Sequence, residues 1–406
     1  MVGNLREIAY CEVCKSTKLK PVLNLGMHPL CDDLIPINQM RECKEYPIEI
    51  LHCPICQTSH QKFQIDKELL FPADYHYRSR NTADVLNGMK GFVNTCSEKL
   101  LGIENKKVLD VGCNDGSLLN YFKKKGAITF GIEPTDAVFD AQASGHIILK
   151  GFLTEGLAQK FISEHGHVDL ITFTNVFAHI EDLDSVLNCI NILRHSKTRV
   201  IIENHYLGSI LEKNQFDTFY HEHPRTYSYG SFIQIAENID MSVGHVEFPS
   251  RYGGNIRIIL EPKSDSTTRP ESIDNILKRE KVFFSDCFQR MAKKINKWRF
   301  DKKKEILNAV ELSGPLVAKA FPGRASIPIK LLELDQTMVK AVYEKPGSQK
   351  IGHWIPGTKI PIVSDTSILN DIPSGAPVLN LAWHIDDEIR TYMKLKGFYG
   401  SFINII

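Results

Sequence analysis

The stretch KKVLDVGCNDGSLLNYFKKKG, residues 106–126, decides the fold. Val108–Val111 is an apolar run with the length of a buried strand, and Asp110 stands near its carboxyl end. Gly112 and Gly116 then allow a tight turn and a close backbone approach to a ligand. A helix follows from Ser117. In an open α/β sheet, ligands lie outside the carboxyl ends of the strands, which is where this turn falls.

The rest of the chain extends that pattern. ITFGIEPTD (128–136) is a second strand, VDLITFTNVFAHIEDLDSVLNCINIL (168–193) a strand, loop and helix, and TRVIIENHY (198–206) a further strand. This alternation predicts βαβ units and a mostly parallel sheet. The glycine pattern is D-x-G-x-x-x-G, not the G-x-G-x-x-G of dinucleotide sites. Glu133 lies 23 residues after Asp110, at the end of the next strand, where an acid accepts ribose hydroxyls. No lysine-serine phosphate loop follows, and the loop is acidic. A ligand with ribose, adenine and a positive centre fits, which describes S-adenosyl-L-methionine. An NAD-type domain and an α/β domain without ligand are the alternatives.

At 406 residues, two or three domains are expected. Net charge is +1, with 49 basic and 48 acidic residues, so there is no basic field for nucleic acid. No window of about 18 apolar residues occurs to span a membrane. MVGNLREIAY (1–10) lacks the apolar core of a signal peptide, so a cytoplasmic location is expected. The ten cysteines are too sparse for a disulfide framework.

Cys11 and Cys14 (CEVC) and Cys53 and Cys56 (CPIC) form two C-x-x-C knuckles. Together they offer the four thiolates of a structural zinc, and so small an N-terminal domain needs such a staple. One redox pair or four unrelated thiols is the alternative, and Cys31 and Cys43 lie between the knuckles as substitute ligands. Cys96, Cys113, Cys189 and Cys287 read as buried apolar residues.

Helical spacing covers 83–105 and 273–298, the latter a long connecting helix whose KWRFDKKK (297–304) reads as a solvated end. Short apolar strands and the helix DDEIRTYMKLKG (386–397) then make a second α/β domain. The expected architecture is α/β. It comprises a zinc-binding domain (1–70), a class I Rossmann-like methyltransferase domain (71–265), a connecting helix (266–305) and a Rossmann-like C-terminal domain (306–406).

FYHEHPRTYS, residues 219–228, admits three readings. His221, Glu222 and His223 suit a metal site, although on a strand Glu222 would point away from both histidines. A structural polar turn is the second. The third is an acid/base cluster: a histidine, with an ordinary pKa of about 6.5, takes a proton near neutrality. A carboxylate orients it, and the Tyr220 hydroxyl donates to a developing oxyanion.

The double C-x-x-C, VLDVGCNDGSLL (108–119), TNVFAHIEDLDSVL (174–187), FDTFYHEHPRTYS (216–228), YGGNIRI (252–258) and IPGTKIPIVS (355–364) stand in the order of the motifs of sugar C-methyltransferases, which the chain resembles over nearly its whole length. The resemblance implies methylation of C3 of a nucleotide-linked 4-keto-deoxy hexose through an enolate. It implies His223 as base, Glu222 as its orienting or substrate-binding partner and Tyr220 as enolate stabiliser. Tyr75 and Tyr77 match the aromatic segment that lines the sugar site. Asp110, Gly112, Asn114, Gly116, Glu133, Phe152, Asn175 and His179 are the expected cofactor residues, the last two facing cofactor or substrate; a helix cap is another reading of Asn175. A dTDP- or GDP-linked sugar is the expected partner, with the protein a monomer or weak dimer. AKAFPGRASIPIK (318–330) departs from the glycine-rich loop that opens the family's C-terminal domain. Arg324 within it reads as a surface residue, with a phosphate contact as the alternative. An O- or N-methyltransferase on a related sugar, or a non-catalytic binding protein of this fold, are the competing functions.

Overall fold

Each apolar run of the central region becomes a strand of one seven-stranded sheet. The strands are β1 (Lys107–Val111), β2 (Ile128–Glu133), β3 (Ile147–Lys150), β4 (Val168–Thr174), β5 (Arg194–His205), β6 (Met241–Glu247) and β7 (Asn255–Pro262). In the computed structural model, which describes residues 5–72, 78–81, 83–263 and 271–406, their spatial order is β6-β7-β5-β4-β1-β2-β3. Strands β1 to β5 pair in parallel, and β7 runs antiparallel to both β5 and β6. The chain builds outward from β1 to β3, then returns to place β4 on the other side of β1. The topological switch therefore lies between β1 and β4, and the Gly112–Gly116 turn leaves the sheet at that point.

Strand side chains alternate between faces, so the apolar runs split into two cores. Leu109, Ile171, Phe173, Val200, Ile202 and Ile258 join one cluster, and their neighbours Val108, Leu170, Ile201 and Ile259 join the other. Helix α1 (Ala83–Lys99) and helix α2 (Ser117–Lys124) cover the second face with Val85, Met89, Phe92, Leu118 and Phe122. Phe92 and Phe122 are fully buried and meet edge to face at 6.4 Å. Truncating either to alanine would cost about 3–5 kcal/mol.

Two compact units arise: Met1–Pro21, Leu51–Ile210 and Glu222–Ser285 in the first, and Val22–Ile50, Leu211–His221 and Asp286–Ile406 in the second. The first holds the seven-stranded sheet. In it Ser59–Gln61 pairs antiparallel with Arg225–Thr226, His60 opposite Arg225. Helix α3 (Tyr229–Asn238) opens with a capping box between Ser228 and Ser231. Its first amides, Tyr229 N and Gly230 N, also donate to the buried Glu280 carboxylate at 2.7 and 2.9 Å. A carboxylate suits the positive end of a helix.

The second unit carries a five-stranded sheet, all parallel, of β8 (Leu316–Lys319), β9 (Val339–Glu344), β10 (Ile362–Ser364), β11 (Val378–Asn380) and β12 (Phe402–Asn404). Its order is β10-β9-β8-β11-β12. Leu316, Val342 and Leu379 face one core, and Val317, Tyr343 and Val378 the other. This is the expected Rossmann-like pattern of strands apolar on both faces. The long helix runs Glu271–Ser313, beyond the expected 305, because Ile306, Ala309 and Val310 continue its apolar stripe into the second unit's core. Among the described residues no helix is long and apolar enough to cross a membrane.

Candidate active site

The glycine turn is built as the motif requires. Gly112 has φ +68° and Gly116 φ +77°, the left-handed region that favours glycine. A Cβ on Gly112 would lie 2.6 Å from Val176 Cγ2, so the backbone here must be bare. Asn114 also takes a left-handed φ, +49°, as asparagine tolerates. Its amide donates to Glu133 Oε2 at 2.9 Å, and its side-chain oxygen accepts from Ser79 N at 3.0 Å. Glu133 Oε1 accepts from Thr135 N and Oγ1 at 2.9 and 2.6 Å. The acid at the end of β2 is thus locked against the glycine turn. Asp110 accepts from Thr172 Oγ1 at 2.7 Å; burial, with the Glu133 charge nearby, pushes its carboxyl up to about 7. Phe152 lies farther along, under the Lys67 ammonium at 4.9 Å.

Residues 220–223 form neither strand nor helix but a turn, and the turn separates the two histidines. In the second unit, His221 meets the Tyr46 ring edge-on at 6.1 Å and contacts Tyr46 O through Nε2 at 3.2 Å. Burial lowers its pKa to about 4. In the first unit, His223 is buried and enters a row of rings. Its ring lies 4.7 Å from that of His179 and 5.4 Å from that of His205, and the Tyr252 ring lies 5.6 Å from His205. His179 donates from Nδ1 to Glu222 O at 2.8 Å, since a carbonyl only accepts. Burial lowers its pKa to about 4, so it stays neutral at physiological pH. Asn175, at φ +54°, bonds Asn255 Nδ2 through its side-chain oxygen at 3.3 Å and not a helix end. Tyr75 and Tyr77 lie outside the described residues.

What precedes and follows the turn is fixed by buried charge. In the second unit, Asp217 accepts from Arg324 Nε at 2.7 Å, from Arg324 Nη2 at 3.2 Å and from Trp383 Nε1 at 2.9 Å. Arg324 is buried, so the surface reading of that arginine is wrong; a carboxylate three residues before Tyr220 draws it in. In the first unit, Arg225 is fully buried and pairs with Glu12, while its Nε donates to Tyr227 Oη at 3.1 Å and its Nη2 to Glu181 O at 3.1 Å. Glu12 also accepts from Arg6 Nη2 at 2.6 Å and Gln64 Nε2 at 2.8 Å.

Glu12 sits inside the first cysteine knuckle. Cys11, Cys14, Cys53 and Cys56 bring their sulfurs within 4.8 Å of one another, with Cys11–Cys56 at 3.4 Å and Cys14–Cys53 at 3.5 Å. Tetrahedral zinc with Zn–S of about 2.3 Å separates its sulfurs by about 3.8 Å, so the donors fit that ion. His60 Nε2 lies 3.3 Å from Cys11 Sγ, a second-layer donor absent from the sequence reading. Cys31 and Cys43 belong elsewhere, Cys31 Sγ with Ser326 Oγ and Cys43 Sγ on Asp33 O. His205, Arg251 and Tyr252 had no role assigned from the sequence. His205 closes a strand, Arg251 precedes the YGGNIRI motif, and Tyr252 opens it.

A doubly wound sheet with a glycine turn at its switch point, beside a four-thiolate zinc module, defines an S-adenosylmethionine-binding methyltransferase of Rossmann-like fold. Three sequence families match successive parts of the chain: a zinc binding domain over residues 11–71, a methyltransferase domain over 82–246, and a C-methyltransferase C-terminal domain over 250–406. The C-methyltransferase NovU of Streptomyces niveus is 25% identical over 392 residues, spanning 95% of this chain and 92% of that protein. A ubiquinone biosynthesis O-methyltransferase of Pasteurella multocida is 29% identical over 163 residues, 34% of this chain and 63% of that one. The magnesium protoporphyrin IX methyltransferase structure from Synechocystis PCC 6803 with bound SAM is 16% identical, covering 44% of this chain and 82% of its own, at a TM-score of 0.33. The chain carries a C-methyltransferase C-terminal domain after its methyltransferase domain and is an S-adenosylmethionine-dependent C-methyltransferase.

Proposed function

We propose that the protein methylates C3 of a nucleotide-diphosphate-linked 4-keto-deoxy hexose, with His223 as the base. The supporting observation is the buried placement of His223 in ring contact with both His179 and His205, two residues before the buried Arg225–Glu12 pair. In this reading the Gly112–Gly116 turn, Asp110 and Glu133 hold the methyl donor, whose sulfonium supplies an electrophilic methyl group. The 4-keto group acidifies the C3–H bond. His223 accepts that proton, and the electron pair moves onto the ketone oxygen, where the Tyr220 hydroxyl donates to it. The enolate carbon then forms the C–CH3 bond as the S–CH3 bond breaks, releasing S-adenosylhomocysteine. Glu222 orients His223 or the sugar. Carbon methylation needs such a base because the C–H is a weak acid.

The reaction divides cleanly for testing. With dTDP- or GDP-linked 4-keto-6-deoxy hexoses in deuterated buffer and no methyl donor, the C3 proton should exchange at an enzyme-dependent rate. Labelled methyl should enter at C3 when the donor is added. His223→Asn should abolish both. Exchange that survives this change nearly intact would reject His223 as base, and label found on oxygen or nitrogen would reject C-methylation of the sugar.

A further inference from the structure

Arg251 carries donors that nothing described so far uses. Its side chain is 6% exposed, and its guanidinium lies over the Tyr252 ring at 4.8 Å. Gly88 of α1 backs it so closely that a Cβ there would sit 2.3 Å from Nη1. Nη1 donates to Glu203 Oε1 at 3.2 Å. Nε and Nη2 are buried and have no hydrogen-bond partner among the described residues. These two nitrogens form one edge of the guanidinium, with parallel N–H bonds matched to two oxygens. Arg324 turns this same edge to both oxygens of Asp217. Glu203 cannot serve Arg251 in the same way. Its Oε2 is held by Arg257 Nε and Nη2 at 2.7 and 2.6 Å, and its Oε1 is shared with Asn255 Nδ2 at 3.1 Å. A buried donor pair without an acceptor is costly and calls for an explanation.

The backbone offers a second, independent observation. Tyr252 has φ +52°, a region a bulky side chain rarely enters, and it is followed by Gly253 at +83° and Gly254 at +130°. Strain of this kind persists where the surroundings over-determine it and gathers at ligand sites. Here it sets the Tyr252 ring against His205, next to His223. Asn255, which shares Glu203 with Arg251, also holds Asn175, whose neighbour Val176 packs on Gly112. Arg251 is therefore linked through Tyr252 to the histidine row and through Glu203, Asn255 and Asn175 to the Gly112 turn.

We propose that the Nε/Nη2 edge of Arg251 binds a pair of oxygens on the acceptor substrate, spaced as in a carboxylate or a vicinal diol, and so sets which acceptor is taken. That the oxygens belong to the acceptor rests on the reading of the His223 row as the reaction site. Arg251 and Arg257 already face Glu203 and Glu247, so the cluster balances its own charge. A neutral diol suits the edge as well as an anion does.

The test uses the full zinc-loaded chain with S-adenosylhomocysteine. The arginine Nε–H nuclear magnetic resonance signal of Arg251 is identified by its loss in Arg251→Lys. It is then followed during separate titrations with sodium acetate and cis-1,2-cyclohexanediol. The signal should move with at least one probe, which also tells anion from diol, while the signal of the occupied Arg324 stays fixed. If neither probe moves it, the proposal falls. With whichever keto-sugar the wild type methylates, Arg251→Lys should raise the sugar KM about tenfold or more, with kcat within about threefold and donor affinity unchanged. An unchanged sugar KM, or a joint loss of donor affinity and thermal midpoint, would instead make Arg251 a structural residue. If the wild type methylates no keto-sugar, the proposed function fails, and the resonance titration still decides this site.

Discussion

Arg225→Met should loosen the turn that carries His223. Arg225 stands two residues after His223, its side chain is 0% exposed, and it contacts Glu12, Tyr227 Oη and Glu181 O. Removing one partner of a buried ion pair costs about 3–5 kcal/mol, because the other charge stays buried without it. Glu12 keeps Arg6, whose side chain is half exposed, and Gln64, so the lower end, about 3 kcal/mol, is expected. That is roughly a hundredfold in the local opening equilibrium. The pairing of His60 with Arg225 and the bond from Gln61 N to Pro224 O should open first. Hydrogen–deuterium exchange over residues 57–65 and 220–230 reads this directly, and both segments should exchange about a hundredfold faster. The three tryptophans, Trp298, Trp354 and Trp383, all lie in the second unit and would report this loss poorly. A displacement of about 1 Å at a catalytic group costs on the order of a hundredfold in rate, so C3–H exchange should slow to match. Arg225→Lys keeps the charge but cannot reach all three partners, so it should fall between. Unchanged protection in both segments, with unchanged C3–H exchange, would refute the claim that this pair positions the base.

Zinc removal should act through the same link. A chelator should expose four thiols to titration, assigned to Cys11, Cys14, Cys53 and Cys56, and slow C3–H exchange; full exchange activity in the zinc-free protein would contradict it. Asp110, raised to about 7 in the folded state, contributes stability that is present below its unfolded pKa of about 4 and lost as pH rises towards 7. Asp110→Asn should therefore flatten the pH dependence of unfolding between about 4 and 7, and an unaltered slope would show that Asp110 titrates normally. His179 and His221 are lowered to about 4, so their contributions are present above about 6.5 and lost as pH falls through 4. His221→Asn should reduce acid destabilisation over that interval in urea titrations and leave C3–H exchange within a few-fold. Arg324→Lys should lose the two-oxygen grip on Asp217 and destabilise the second unit by about 1.5–3 kcal/mol, read by tryptophan fluorescence in urea.

The central fold was legible because its signals are local. The run Val108–Val111, the Gly112–Gly116 turn and the amphipathic spacing of α2 need only their own neighbours to be recognised. The left-handed φ of both glycines is the property that made them readable in the first place. The knuckles were legible for the same reason, since C-x-x-C presents two thiolates whatever surrounds it. The end of the long helix was harder: KWRFDKKK reads as a solvated end, yet Trp298 within it packs on the second unit's core and donates to Ile405 O at 2.9 Å, and Ile306, Ala309 and Val310 carry the stripe on.

Partner choice among charged side chains is a different kind of information. Arg324 follows a proline and a glycine in a loop, which locally reads as surface, yet it is buried because Asp217, 107 residues earlier, offers both oxygens, one of them shared with Trp383. Arg225 sits in a stretch that drew notice for its histidines, and its partner Glu12 sat unnoticed between two zinc ligands. The histidine row is assembled the same way: His179 follows β4, His205 closes β5 and His223 lies on the turn before Arg225. Each comes from a separate strand end or turn, so only the sheet's order brings them together. Long-range ion pairs therefore fix what local patterns leave open, each within its own unit: Arg324 holds Asp217 in the second, and Glu12 holds Arg225, two residues after His223, in the first.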